Sequence, residues 1–165
     1  MPKIFLMVKK TMAILGDTGK FSPILIDVFA KQELRLLFVS EAETKIEKLK
    51  KQLEPLKTAA DIEFIRCERE GCWEADIILL IRSENISFAL VEKIKEVATQ
   101  KIVMVVSEDI KQPDKPVFEK LLPYSKVVEM VFDSRKKEFS VFGKDAEAKA
   151  DVQNILESTG YQLNK

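Results

Sequence analysis

The feature that most constrains the fold is the stretch of residues 11–31, TMAILGDTGKFSPILIDVFAK. Residues 12–15 form a continuous apolar run, which is typical of a parallel strand that is covered on both faces. Gly16 and Gly19 supply the backbone freedom for a sharp turn. The Ser-Pro pair at 22–23 is a helix-start signal, and apolar residues recur after it at helical spacing. The stretch therefore predicts a strand, a glycine turn and a helix, the arrangement with which α/β proteins hold a phosphate.

The rest of the chain alternates between apolar strand patterns and helical patterns. Further strands are predicted at residues 34–39, 62–67, 76–81, 101–106, 127–132 and 138–142, with a terminal strand at 161–163. Helices are predicted at residues 46–53, 86–99 and 118–122 and after an N-cap at Asp145, and residues 68–75 are predicted as a connection of about one helical turn. Gly160 is placed where a helix C′ glycine belongs. The pattern predicts an α/β fold with a doubly wound, mostly parallel sheet and helices on both faces, a three-layer sandwich.

Composition narrows the class of protein. The 165 residues are enough for one domain with a substantial core, and equal numbers of acidic and basic residues, 27 of each, argue against a nucleic-acid or membrane surface. We find no signal peptide pattern and no apolar run of membrane-spanning length, and we expect a cytoplasmic protein. The chain has no histidine, so the commonest acid–base catalyst and metal ligand is missing, and we expect no metal site.

The chain contains two cysteines and one tryptophan. Cys67 and Cys72 have no partner cysteine or histidine at zinc-ligand spacing, and we interpret them as core or near-surface thiols. Trp73 precedes a predicted core strand, and we expect it to be a packing residue.

Ligands of doubly wound sheets bind beyond the carboxyl ends of the strands, where the strand order reverses. This rule gives a candidate site from the loops that follow the predicted strands. The segments concerned are residues 16–22, 40–45, 82–85 and 107–109.

Four segments carry a resemblance to a known family: MAILGDTGKFS, WEADIILLI, LLPYSKVVEMVF and FGKDAEAKADVQNILESTGY. Through them the chain resembles the NADP-binding domain of the coenzyme F420-dependent NADP oxidoreductases, relatives of the 6-phosphogluconate dehydrogenase-type Rossmann proteins. The resemblance begins at Thr11 and covers nearly all of the remaining chain. It implies a single NAD(P)-binding Rossmann domain over residues 11–165, preceded by an extension of residues 1–10 that could add an edge strand. It also implies hydride transfer between a dinucleotide and an unknown small-molecule acceptor.

The resemblance further implies which residues bind the dinucleotide. The diphosphate would lie on the turn, the adenosine at the end of the second strand, and the nicotinamide ribose at the end of the fourth. The residues concerned are Gly16, Asp17, Thr18, Gly19, Lys20, Phe21 and Ser22; Ser40, Glu41 and Lys45; and Ile81 and Arg82. This turn departs from the GxGxxG fingerprint: of the three glycines only Gly19 is retained, and Asp17 places a carboxylate near the diphosphate.

The identity of the dinucleotide depends on Glu41. In the family an arginine stands at that position, between residues matching Ser40 and Lys45, and binds the 2′-phosphate of NADP. Glutamate repels that phosphate and accepts hydrogen bonds from ribose hydroxyls instead. The family implies NADP and the chemistry of Glu41 favours NAD, and we expect NADP by a narrow margin.

A second interpretation belongs to a different class of protein. The altered turn and Glu41 are also compatible with a degenerate Rossmann domain that binds no dinucleotide and acts as a non-catalytic binding or assembly module. Under either interpretation a homodimer would form through the N-terminal segment or an exposed sheet edge.

Overall fold

The computed structural model describes residues 9–16, 23–81, 88–108, 117–133 and 135–164. The strands are β1 (Thr11–Gly16), β2 (Arg35–Val39), β3 (Asp61–Ile65), β4 (Ile77–Ile81), β5 (Ile102–Glu108), β6 (Lys126–Asp133), β7 (Glu138–Gly143) and β8 (Gln162–Asn164). The helices are α1 (Pro23–Ala30), α2 (Glu43–Leu53), α3 (Glu68–Glu74), α4 (Phe88–Ile94), α5 (Val117–Leu121) and α6 (Ala146–Glu157). The predicted edge strand near the N-terminus falls on residues 1–8, outside the described residues.

The described strands form one eight-stranded sheet in the order β3-β2-β1-β4-β5-β6-β7-β8. Neighbours from β3 to β6 are parallel, β7 is antiparallel to β6, and β8 is parallel to β7. All five residues of β4 are buried, which explains its uninterrupted apolar sequence, IILLI. The predicted mostly parallel, doubly wound sheet is confirmed.

Helices cover both faces of this sheet. On one face, α1, α2 and α6 pack on a core that contains Met12, Phe38 and Leu79. On the other face, α3, α4 and α5 pack on a core that contains Leu15, Leu80 and Val105. The structure therefore has the three layers that the sequence predicts.

The last helix is bounded as its sequence predicts. The Asp145 carboxylate accepts a hydrogen bond from the amide of Ala148 at 2.9 Å, which makes Asp145 the N-cap of α6. Gly160 has φ +83°, a left-handed conformation that glycine adopts without strain. The predicted terminal strand is present as β8, one residue later than expected, and it pairs with β7.

Two predictions on the helices need correction. Residues 68–75 are not a connection of one turn, because α3 contains seven residues. The helix predicted over residues 86–99 is shorter: α4 ends at Ile94, and turns follow up to Gln100, whose φ is +64°. None of the helices in the described part of the chain is both long enough and apolar enough to cross a membrane.

The prediction that Trp73 is a packing residue is wrong. Its side chain is 71% exposed, whereas the neighbouring Cys72 is buried. Consecutive residues of a helix point about 100° apart, and α3 turns Cys72 toward the sheet and Trp73 toward solvent.

Candidate nucleotide-binding site

The strand order reverses at β1, which lies between β2 on one side and β4 on the other. Gly16, the last residue of β1, is paired in register with Ile81, the last residue of β4. Two residues predicted from different strands therefore meet at the carboxyl edge of the sheet, at the point where doubly wound folds bind ligands. The other predicted residues of the turn, 17–22, and Arg82 lie outside the described residues.

The end of β2 is held in place by backbone hydrogen bonds. The amide of Ser40 donates to the carbonyl of Ile65 at 3.0 Å, which ties the end of β2 to the end of β3. The Ser40 hydroxyl accepts a hydrogen bond from the amide of Ala42 at 3.3 Å, and α2 begins at the next residue. The chain therefore turns sharply after β2. Glu41 lies in this turn, and Lys45 lies in the first turn of α2.

A cavity of about 230 Å³ opens at this edge, and we call it the β2 cavity. Its lining is partly apolar and partly polar, and it comes from β1, β2, the turn after β2 and the helices α2, α3 and α4. Its lining residues are Leu15, Val39, Ser40, Glu41, Ala42, Lys45, Glu68 and Leu90. The structure thus brings together the three residues predicted for the adenosine end: Ser40, Glu41 and Lys45.

Glu68 is a lining residue that sequence reasoning missed. It is the first residue of α3 and lies within a charged stretch, Glu68–Glu74, whose sequence EREGCWE gives no sign of a site. The available signal is its position directly after the third strand, because the carboxyl end of β3 lies beside that of β2.

The close packing of α3 against the end of β2 depends on Gly71. A Cβ at this position would lie 2.7 Å from Cγ2 of Val39, the last residue of β2. Such a distance is well below van der Waals contact, so the helix approaches the strand as closely as it does because residue 71 has no side chain. This close approach positions Glu68 at the β2 cavity.

An ion pair flanks the site on the side of β3. The guanidinium of Arg66, which follows β3, contacts the carboxylate of Glu43 in the first turn of α2. Both side chains are more than half exposed. The pair links the start of α2 to the residue after β3, and its two charges neutralise each other.

The perturbed pKa values of the described residues lie elsewhere, near the amino ends of the strands. The pKa of Arg35 is raised by its hydrogen bonds to Glu63 and Glu74, and the pKa of Glu63 is lowered mainly by its bond to Arg35. Burial raises the pKa of the Cys72 thiol to about 12 and lowers the pKa of Lys101. These groups stabilise the fold and are not candidates for chemistry at the carboxyl edge.

Lys101 closes the C-terminal end of α3. Its ammonium donates to the carbonyls of Cys72 and Trp73 at 2.5 and 2.6 Å. Unpaired carbonyls at a helix end favour a cation there. Cys67, the other thiol, is exposed.

A second groove, of about 500 Å³, lies between the end of α1 and α6. It is lined by residues such as Lys10, Leu34 and Asn154, and Lys10 and Leu34 lie just before β1 and β2, at the amino edge of the sheet. This groove is therefore remote from the switch point. Nowhere in the described ranges do three or more histidine, cysteine, aspartate or glutamate side chains converge as metal ligands would.

Comparison with known proteins rests on structure. No family model matches the chain, and no curated protein matches it. The proposed F420-dependent NADP reductase of Arthrobacter sp. FB24 superposes with a TM-score of 0.69 at 16% identity, covering 94% of this chain and 83% of that one.

Two better-defined enzymes are also similar. The pyrroline carboxylate reductase of Plasmodium falciparum, solved with NADP bound, gives a TM-score of 0.64 at 12% identity, covering 94% of this chain and 56% of its own. Prephenate dehydrogenase of A. aeolicus, solved with NAD⁺, gives 0.63 at 13% identity, covering 97% of this chain and 60% of its own. This chain thus spans little more than half the length of these two enzymes. At such identities the likeness concerns the fold, and the fold of this chain is the Rossmann-type fold of NAD(P)-dependent reductases and dehydrogenases.

Proposed function

We propose that this protein is an NAD(P)-binding oxidoreductase that transfers a hydride between a nicotinamide dinucleotide and a small-molecule acceptor. The observation that carries the proposal is the β2 cavity, which lies at the carboxyl edge of the sheet beside the β1–β4 switch point. The similar structures that bind NADP or NAD⁺ support it.

The residues of the cavity fit the adenosine half of such a ligand. Leu15, Val39 and Leu90 offer an apolar surface to a purine ring. The hydroxyl of Ser40 and the carboxylates of Glu41 and Glu68 accept hydrogen bonds, which suits ribose hydroxyls. Under this proposal the diphosphate lies across Gly16 and residues 17–22, and the nicotinamide ribose lies toward Ile81 and Arg82.

A bound nicotinamide dinucleotide would supply the hydride chemistry itself. The protein's part is to hold the cofactor and the acceptor in register and to exclude water, which requires no histidine. The sequence resemblance extends the proposal to an enzyme of the F420-dependent NADP oxidoreductase type, a finer assignment that rests on the quoted motifs.

A thermal-shift titration with NADH and with NADPH tests the proposal. We expect the melting temperature to rise with the concentration of one of them, as mass action requires of a ligand that binds the folded state. Ala42→Trp, which places a large ring at the β2 cavity, should abolish the shift. Asn154→Trp, which places the same ring in the remote groove, is the matched control and should retain it.

The absence of a shift with either dinucleotide up to about millimolar concentration would contradict the proposal. A ligand that binds the folded protein with a dissociation constant below that concentration has to raise the melting temperature. That result would favour the non-catalytic module. A shift that Ala42→Trp leaves intact would show that the dinucleotide binds away from the β2 cavity.

A further inference from the structure

We infer that Glu68, together with Glu41, makes the β2 cavity select the unphosphorylated dinucleotide, NAD, over NADP. The inference rests on the proposed function and names the ligand of that same site. Glu68 comes from α3, so it is a specificity determinant that the turn after β2 does not contain.

The charges of the cavity are unequal. Among the described residues that line it there are two carboxylates, Glu41 and Glu68, and one ammonium group, that of Lys45. Lys45 alone would favour a phosphate, and Glu41 alone would offset that effect. The second carboxylate leaves the lining with an excess of negative charge.

The position of Glu68 is set by packing rather than by a flexible loop. Val39, whose Cγ2 lies within 2.7 Å of a Cβ built on Gly71, is only 5% exposed. The helix that carries Glu68 therefore rests on a buried and closely packed strand end. The backbone of Glu68 is therefore held beside the cavity by the packing of the helix.

One arginine beside the site is already paired with a carboxylate. Arg66 is the described guanidinium on the β3 side of the site, and it contacts Glu43. The Arg66–Glu43 pair has no net charge, so it leaves the excess of the cavity unchanged. To bind the 2′-phosphate of NADP, Arg66 would first have to give up the carboxylate of Glu43.

The 2′-phosphate differs from the 2′-hydroxyl in both charge and hydrogen bonding. A phosphate monoester carries about −1.5 to −2 charges at neutral pH and only accepts hydrogen bonds, as carboxylates do. A ribose hydroxyl is neutral and donates a hydrogen bond to a carboxylate. The same two glutamates therefore stabilise the ribose of NAD and repel that of NADP, which is how a site rejects a close analogue.

This inference departs from the sequence resemblance, which implies NADP through Ser40 and Lys45. Those two residues are present at the cavity, but Glu41 replaces the family's arginine and Glu68 adds a second carboxylate. The structural observation that decides between the two cofactors is the location of Glu68.

Calorimetric titration of the purified protein with NADH and NADPH tests the inference. We expect NADH to bind at least about tenfold more tightly, since one additional like charge in a partly exposed site changes affinity by about that factor. Raising the salt concentration should narrow the ratio, because screening weakens the repulsion of the phosphate.

Three variants assign the effect to residues. Glu68→Gln should narrow the ratio of the two dissociation constants by about threefold or more, because it removes one negative charge. Glu68→Lys should narrow that ratio further, because it places a positive charge there instead. Glu70→Gln is the matched control, since Glu70 is an exposed residue of the same helix outside the cavity, and should leave the ratio unchanged. Circular dichroism of each variant verifies the fold.

The possible results distinguish a failure of the cofactor preference from a failure of dinucleotide binding itself. Tighter binding of NADPH than of NADH overturns the inference and leaves the proposed function standing. A preference for NADH that both Glu68 variants leave unchanged overturns the role of Glu68. Failure of both dinucleotides to bind overturns the proposed function and the inference with it.

Discussion

Replacing Gly71 with alanine should destabilise the protein, although alanine is the better helix former. The added Cβ would lie 2.7 Å from Cγ2 of Val39 and 3.9 Å from Cγ2 of Ile65. Val39 is β-branched and buried, so its methyl group cannot rotate away freely. Either α3 or the end of β2 has to move by a substantial fraction of an ångström.

Two opposing terms set the size of the effect. Overpacking a well-filled core costs about 1–3 kcal/mol, and alanine in place of glycine inside a helix returns about 1 kcal/mol. We therefore expect the free energy of unfolding to fall by about 1 kcal/mol, which for a domain of this size lowers the melting temperature by about 2–4 °C. Urea denaturation followed by circular dichroism measures the change.

A double-mutant cycle with Val39→Ala isolates the contact. In that background the offending methyl is gone, so Gly71→Ala should stabilise the protein by about its helix propensity, about 1 kcal/mol. Glu70→Ala, at the exposed neighbouring position, controls for helix propensity and should change the stability by less than about 0.5 kcal/mol. If Gly71→Ala is neutral or stabilising in the native background, α3 does not rest on Val39 as described, and the placement of Glu68 loses its support.

Four further predictions concern the amino edge and the thiols. Because burial raises the pKa of Cys72 to about 12, the unfolded chain loses the thiol proton at a lower pH than the folded protein does. The free energy of unfolding should therefore fall above about pH 9 by up to about 1.4 kcal/mol per pH unit. Denaturation at a series of pH values should show this slope in the native protein and its loss in Cys72→Ala. The lowered pKa of Lys101 contributes the opposite slope in the alkaline range, since there the unfolded chain holds the extra proton, and the Cys72→Ala variant should reveal it. Lys101→Met should cost about 1–3 kcal/mol, because it removes the charged donor from the carbonyl of Trp73 and leaves the carbonyl of Cys72 only its bond from the amide of Ala75 at 3.3 Å. The exposed Lys93→Met should cost nearly nothing, and equal stabilities of the two variants would contradict the capping role. A thiol reagent should titrate one cysteine, Cys67, in the folded protein and the second only after denaturation.

The fold was predictable because its strongest signals are local. The apolar runs of β1 and β4 are continuous, since both strands are buried on both faces. Asp145 marks the start of α6 because its carboxylate accepts a hydrogen bond from a helix amide. Gly160 marks the end because, without a side chain, it adopts a left-handed conformation. Such features act over a few residues and can be read without knowledge of the neighbours.

The orientation of α3 was not predictable in the same way. A helix of seven residues is too short for an apolar periodicity to establish which face is buried. The sequence therefore favours Trp73 as a packing residue, whereas in the structure Cys72 faces the core and Trp73 faces solvent. Glycine is a poor helix former, but in the structure Gly71 is what allows the helix to lie on Val39.

Some residues of the candidate site were predictable from the local sequence, and one was not. Ser40, Glu41 and Lys45 were predicted together because they follow one strand closely in sequence, and the structure places all three around the β2 cavity. Glu68 follows a different strand, and it reaches the cavity only because β3 pairs with β2 and α3 packs close to them. A residue brought in by long-range packing leaves no mark in the local sequence.

The central position of β1 also determines how the chain has to assemble. Its amide at Thr11 donates to the carboxylate of Asp76, 65 residues later, and the whole of β1 needs β4 as its second neighbour. During synthesis β1 and β2 can pair early, but the other edge of β1, a mostly apolar strand, stays unpaired until β4 has emerged. Closing a loop of that length is slow compared with forming the adjacent β–α–β unit. Pulse-labelled hydrogen exchange during refolding should therefore find the amides of β4 and the inner edge of β1 gaining protection together, after those of β2.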